Sequence, residues 1–215
     1  MTGTNALTGA PATRIGPLPA AEWDEADREL LRGHLARAER YLTGQPDAPP
    51  MPPVLGLLAR HARIGGPWLA FSGRLLEDGS LRPRDRELLI LRVGVRTRSR
   101  YLWAEHVRLG QEAGLTEAEV ATVGVGAEAE GWSGRDRDLL TAVDQLVDQH
   151  VLDDVLWARL AGELDERELL ELIFVVGSYV CLAMVLNSAG LAPPADSPPV
   201  PWTDPAAHPT RLDAT

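Results

Sequence analysis

The stretch Pro83-Arg84-Asp85-Arg86-Glu87-Leu88-Leu89-Ile90-Leu91-Arg92-Val93-Gly94-Val95, separated by three residues from Ser99-Arg100-Tyr101-Leu102-Trp103-Ala104-Glu105-His106, decides the fold class. Proline is tolerated in a first helical turn, where its missing N–H would have had no partner. Asp85 and Glu87 suit the positive end of the helix dipole. The same punctuation recurs outward in both directions. Glu22 to Thr43 reads as a first helix, ended by Gly44 and a Pro-rich linker from Pro46 to Pro53. Val54–His61 and Ile64–Leu76 read as two shorter helices, with Gly79 breaking the second. After Ser99–Ala113, stopped by Gly114, Thr116 and Glu119 have the spacing of a capping box for a short helix to Val123. Ser133, Asp153 and Asp165 are the caps of helices reaching His150, Leu164 and Ala189. No segment shows a convincing strand period. The expected class is all-α, a compact helical bundle with an N-terminal helical extension: residues 1–21 a flexible tail, 22–192 one domain, and 193–215 a Pro-rich tail or an arm across a neighbouring subunit.

A phrase recurs at four helix starts: Asp27-Arg28-Glu29-Leu30-Leu31, Asp85 to Leu89, Asp136 to Leu140 and Glu166 to Leu170. Its irregular intervals are not those of a solenoid, and acidic first turns explain it through the helix dipole.

Composition narrows the function. The 215 residues hold 21 basic side chains, all Arg, against 31 acidic ones, for a net charge of −10. That balance argues against a nucleic-acid partner and against docking on an anionic membrane. The first sixteen residues have no secretory apolar run, so the expected address is cytoplasmic. From Leu172 to Ala195 there is no charge, but Ser178, Asn187, Ser188 and Gly190 dilute the run. It reads as a helix buried in a core or subunit interface, not a membrane span. Cys181 is the single cysteine. It excludes an intrachain disulfide, a thiolate zinc cluster and an intrachain dithiol pair.

His34, His61, His106, His150 and His208 have no metal-ligand spacing among them. His34 falls in an Arg-rich helix, His208 in the tail, and His61 and His150 near helix C-termini. His106 differs in its setting. Helical geometry puts Ser99, Leu102, Trp103 and His106 on one face, a mixture suited to a small wet pocket inside a bundle. Tyr101 and Glu105 lie off that face. Glu87 gains interest only by pairing with His106, since acidic residues hold the same place in every copy of the recurring phrase.

Arg84 to Arg92, Ser99 to His106 and Ala113-Gly114-Leu115 together resemble the carboxymuconolactone decarboxylase family, which includes AhpD-type alkylhydroperoxidases. The stretch Glu168 to Gly190, with Val176-Gly177-Ser178-Tyr179 and Asn187-Ser188-Ala189-Gly190, is similar to the closing helix of longer members. The resemblance spans roughly Glu22 to Pro193 and implies an AhpD-like helical bundle assembled as a homotrimer or homohexamer. In the peroxidase branch it implies a glutamate, a CxxC pair and a histidine four residues on. Glu87 and His106 match the first and last, whereas Ser99 and Leu102 occupy the cysteine places, which removes dithiol chemistry.

The resemblance therefore implies a cofactor-independent, metal-free acid–base enzyme acting on a small carboxylic acid or lactone, with decarboxylation the expected reaction. His106 would protonate the carbanion, Glu87 would orient it, and Ser99 or Tyr101 would hydrogen-bond an oxyanion. Trp103 would line the pocket, and Arg92, Arg96 or Arg98 would clamp the carboxylate. Two alternatives stay open. One is an antioxidant role for Cys181, whose place in an apolar helix suggests a buried, inert thiol. The other is a non-catalytic module binding a hydrophobic acid or a partner protein, which predicts a pocket without a Glu87–His106 hydrogen bond.

Overall fold

The computed structural model describes residues 13–34, 36–42 and 50–203. Among them are ten α-helices and no strand: α1 Glu25–Leu31, α2 Ala36–Leu42, α3 Pro53–Ala59, α4 Ala62–Glu77, α5 Pro83–Arg96, α6 Arg100–Glu112, α7 Glu117–Thr122, α8 Gly134–Gln149, α9 Asp154–Ala161 and α10 Glu166–Ala189. The caps do what their side chains permit. Thr116, Ser133 and Asp165 each close a capping box, and Asp153 accepts from the Leu156 N–H. One expected helix is divided. The span Glu22 to Leu42 splits around Gly33, whose φ of +74° is left-handed and cannot continue a helix. Thr43, Gly44 and Pro46 to Pro49 fall outside the described residues.

Helix α5 is the axis of the molecule, packed by α6, α8 and α10. Every residue from Asp85 to Gly94 is buried, so even its charged side chains must be satisfied internally. Leu88, Leu89, Ile90, Leu139, Leu140 and Leu172 are among the core residues at zero exposure. A second apolar cluster joins the N-terminal part to α3 and α4 through Trp23, Leu31, Leu55, Ala59, Ala62 and Leu69.

Both expected tails contain docked chain. Arg14 and Ile15 donate their backbone N–H groups to Ala189 O, and Leu18 donates to Gly56 O. At the other end, Pro199 O accepts the Trp103 indole N–H at 2.9 Å, and Trp202 packs edge-on against Trp103. A Cβ at Gly124 would fall 2.5 Å from Pro201 Cβ, so a glycine there allows this approach. Residues 193–203 thus pack against this chain's own helices, because the Trp103 indole offers an N–H to Pro199 O and an apolar face to Trp202. Residues 1–12 and 204–215, including His208, are outside the described residues.

Helix α10 packs Leu172, Val175, Val176, Ala183 and Leu186 inward but leaves Leu170, Phe174, Met184 and Val185 exposed. It is long and apolar enough to cross a membrane by length and composition, yet one face belongs to the core. Within one chain the helix is thus buried along one face and outward along the other. Cys181 lies on that exposed side, so the inert buried thiol expected from the sequence is corrected.

Arg84 ties three helices together, donating to Asp136 at 2.6 Å and to Glu119 at 2.5 Å. Burial pushes the Asp136 carboxyl up, but the hydrogen bonds from Arg84 and Ser133 outweigh it and hold it below the ordinary range. Glu119 is lowered in the same way: burial opposes, and bonds from Thr116 and Arg84 prevail. A depressed carboxyl stabilises the fold above its ordinary titration range and loses that contribution as pH falls through the folded-state range. The melting temperature is therefore expected to drop from about pH 5 toward pH 3. In Arg84→Gln that slope should be shallower; an unchanged slope would remove this cluster from the acid response.

Candidate functional site

Gly110 on α6 permits the approach that builds the site. A Cβ there would sit 3.2 Å from Leu91 Cδ1 and 3.7 Å from Glu87 Cβ, so α6 lies close on α5. One turn earlier, His106 Nδ1 meets Glu87 Oε2 at 2.7 Å, with the two residues 6 % and 2 % exposed. The other carboxylate oxygen of Glu87 lies 3.4 Å from Arg86 Nη2. The ring of Tyr179, from α10, meets the imidazole edge-on at a centroid separation of 5.0 Å. With Nδ1 engaged, the Nε2 edge of His106 is the one left for the cavity this residue lines.

That cavity has a volume of about 160 Å³. Leu102 and Leu109 of α6, Leu69 and Trp68 of α4, Leu55 and Leu58 of α3 and Leu182 of α10 make its wall chiefly apolar. Its polar groups are Tyr101, Glu105 and His106 on α6, Ser72 on α4, Tyr179 on α10, and Arg40, Tyr41 and Arg108. The phenol oxygen of Tyr101 accepts the Val54 N–H at 3.3 Å. Burial first, and the nearby Glu105 carboxylate second, push this phenol above its ordinary range against the lowering influence of Val54. Tyr101 accordingly keeps its proton at ordinary pH and can donate it as a hydrogen bond into the cavity. Among the described residues no three His, Cys, Asp or Glu side chains form a metal-binding cluster.

Residues 64–145 match the model of the carboxymuconolactone decarboxylase family. They are a carboxymuconolactone decarboxylase-family segment. A crystal structure of an alkylhydroperoxidase AhpD core from Ralstonia eutropha JMP134, an uncharacterized peroxidase-related protein, is 16% identical at a TM-score of 0.69, covering 84% of this chain and 93% of its own. An uncharacterized peroxidase-related protein from Silicibacter sp. TM1040 is 13% identical at a TM-score of 0.65, covering 78% and 90%. A protein of unknown function from Agrobacterium tumefaciens is 16% identical at 0.59, covering 65% and 96%. At such identities the likeness is one of fold. No curated protein matches the sequence.

The carboxymuconolactone decarboxylase-family segment supplies Glu87, His106, Tyr101 and Trp68, while Arg40, Tyr41, Leu55 and Tyr179 come from outside it. Five residues singled out in the sequence lie elsewhere. Ser99 caps α6 with its backbone, is fully buried, does not line the cavity, and its hydroxyl has no hydrogen-bond partner among the described residues. Trp103 faces the C-terminal segment. Arg92 and Arg96 lie against α8, bound to Asp144, with Arg96 also reaching Asp148. Arg98 occupies the left-handed turn between α5 and α6 and does not line the cavity. The reason is helical phase. The stripes Tyr101–Glu105 and Leu102–His106–Leu109 face the cavity together, whereas Trp103 is rotated away. Tyr101 and Glu105 are brought into the wall by the same rotation. Arg40, Trp68 and Ser72 also line the cavity but carry no motif that marks them in the sequence; Tyr179 stands within the Val176–Tyr179 stretch without a local signal for its role.

Proposed function

We propose that this chain is a cofactor-independent acid–base enzyme that decarboxylates a small carboxylic acid or lactone. The observation that carries the reading is the buried His106–Glu87 pair, whose imidazole also lines a mostly apolar cavity. Loss of CO₂ from a bound carboxylate leaves its bonding electron pair on carbon, as a carbanion or dienolate. His106 Nε2–H donates the proton that quenches it, and Glu87 holds the ring and compensates the imidazolium when it carries charge. Tyr101 O–H donates to the developing enolate oxygen. The apolar wall favours the step because the localised charge of the carboxylate spreads over the carbanion or dienolate, CO₂ departs neutral, and the proton from His106 then quenches the remaining charge. Water or solvent buffer returns the proton to His106 through the cavity mouth.

Ser99 and Leu102 cannot form a disulfide, and Cys181 does not line the His106 cavity. The predicted signature of a non-catalytic module, a pocket lacking the Glu87–His106 bond, is not met. The outward apolar face of α10 supports self-association as a homo-oligomer. A panel of small carboxylated lactones and β-keto acids, followed by CO₂ release, tests the reading. Turnover is expected on at least one member, at an equal rate in Cys181→Ser. CO₂ release that disappears with Cys181, or none across the panel, would overturn it.

A further inference from the structure

Resting on that reading, we propose that the cavity selects a small monoanion with a ring-sized apolar body, and that Arg40, from outside the family segment, is the group that recognises its charge. The size follows from the volume. An apolar cavity of about 150 Å³ accommodates a benzene ring, and this one measures about 160 Å³ with an open mouth.

The charge preference follows from the partners of each ionic group at the mouth. Arg108 is held by Glu112 at 2.6 Å. Arg40 has no carboxylate partner among the described residues; it donates to the Tyr41 hydroxyl at 2.6 Å and stacks over the Tyr41 ring at 4.7 Å. A phenol neutralises nothing, so the guanidinium keeps its full charge. Its ring contact fixes the planar fork beside the cavity, which reduces the ordering cost of gripping a carboxylate. Glu105 also lines the cavity and has no ion-pair partner among the described residues. It repels a second negative group inside the wall. One anionic group is therefore matched at Arg40, and a second finds no counter-charge. Arg92 and Arg96, the clamps expected from the sequence, are occupied by Asp144 and Asp148 on the far side of α5.

The probes are phenylacetate and its uncharged isostere phenylacetamide, titrated calorimetrically into the full chain. Phenylacetate is expected to bind about 10-fold more tightly. Arg40→Gln should erase that preference while leaving phenylacetamide unchanged, and Arg40→Lys should restore part of it. Glu105→Gln should tighten phenylacetate a few-fold. Equal affinity for the two probes, no binding of either, or a preference that survives Arg40→Gln overturns the assignment. A preference for phenylacetate with no turnover on the lactone panel would sink the acid–base reading and leave this recognition intact; turnover with no such preference would do the reverse.

Discussion

His106→Asn is expected to lower kcat on any substrate the chain turns over by about 10²- to 10⁴-fold, with the fold kept. Asparagine is the informative replacement. Its amide N–H can reach the place of Nδ1 and still donate to Glu87 Oε2, which in the native chain lies 2.7 Å from the ring. Alanine would leave a carboxylate that is 2 % exposed without that donor, at a cost of about 1–3 kcal/mol or more. A lost activity could then reflect a loosened helix pair. Asparagine removes only the Nε2 proton donor. Glu87→Gln separates orientation from charge. It retains a hydrogen-bonding partner for the ring but cannot compensate the imidazolium, so a loss of about 10- to 100-fold in kcat is expected with KM little changed. Single-turnover rates and melting curves measured side by side decide the matter. Wild-type kcat in a folded His106→Asn protein would end the claim that this imidazole moves a proton.

The all-helical class was readable because caps and breakers are local chemistry. Asp165 with Glu168, Thr116 with Glu119 and the proline at position 83 each satisfy or spare specific N–H groups, and the helices begin where they stand. Gly33 is the exception: an isolated glycine within a polar helical pattern is tolerated or breaks the helix according to what packs on either side. The Glu87–His106 pair was accessible only through the family resemblance, since the acidic phrase around Glu87 is repeated at three other helix starts. Which face of α6 would meet the cavity was not legible. Tyr101, Leu102, Trp103 and His106 all become buried, and only tertiary packing decides that Trp103 goes to the C-terminal segment and Tyr101 to the cavity. Arg40 was hidden for a further reason. It stands about 65 residues before His106 in the chain yet lines the same cavity, and no local pattern marks so distant a contact.

The assignment of Arg92 to the scaffold carries the second large expected effect. Its guanidinium binds both oxygens of Asp144 at 2.8 Å, and a third nitrogen donates to Val123 O at 2.8 Å. A Cβ at Gly126 would lie 2.6 Å from this group, at a φ of +98° that favours glycine, so the loop is shaped around the arginine. The Arg92 side chain is 8% exposed and that of Asp144 25%. Asp144→Ala leaves two N–H donors of a buried cation without their acceptor, a change that costs about 3 kcal/mol. For a chain of this size the melting temperature should fall by about 6–12 °C. Asp148→Ala is the comparison, because this side chain is 54% exposed and pairs with Arg96 alone among the described residues; less than about 1 kcal/mol is expected there. Kinetics then distinguish scaffold from clamp. If Arg92 held substrate, disturbing it would raise KM; as a strut between α5, α8 and the loop after α7, it should leave KM unchanged below the lowered melting temperature. A melting temperature within about 2 °C of wild type, or a raised KM in a fully folded Asp144→Ala protein, would return this arginine to the candidates for substrate recognition.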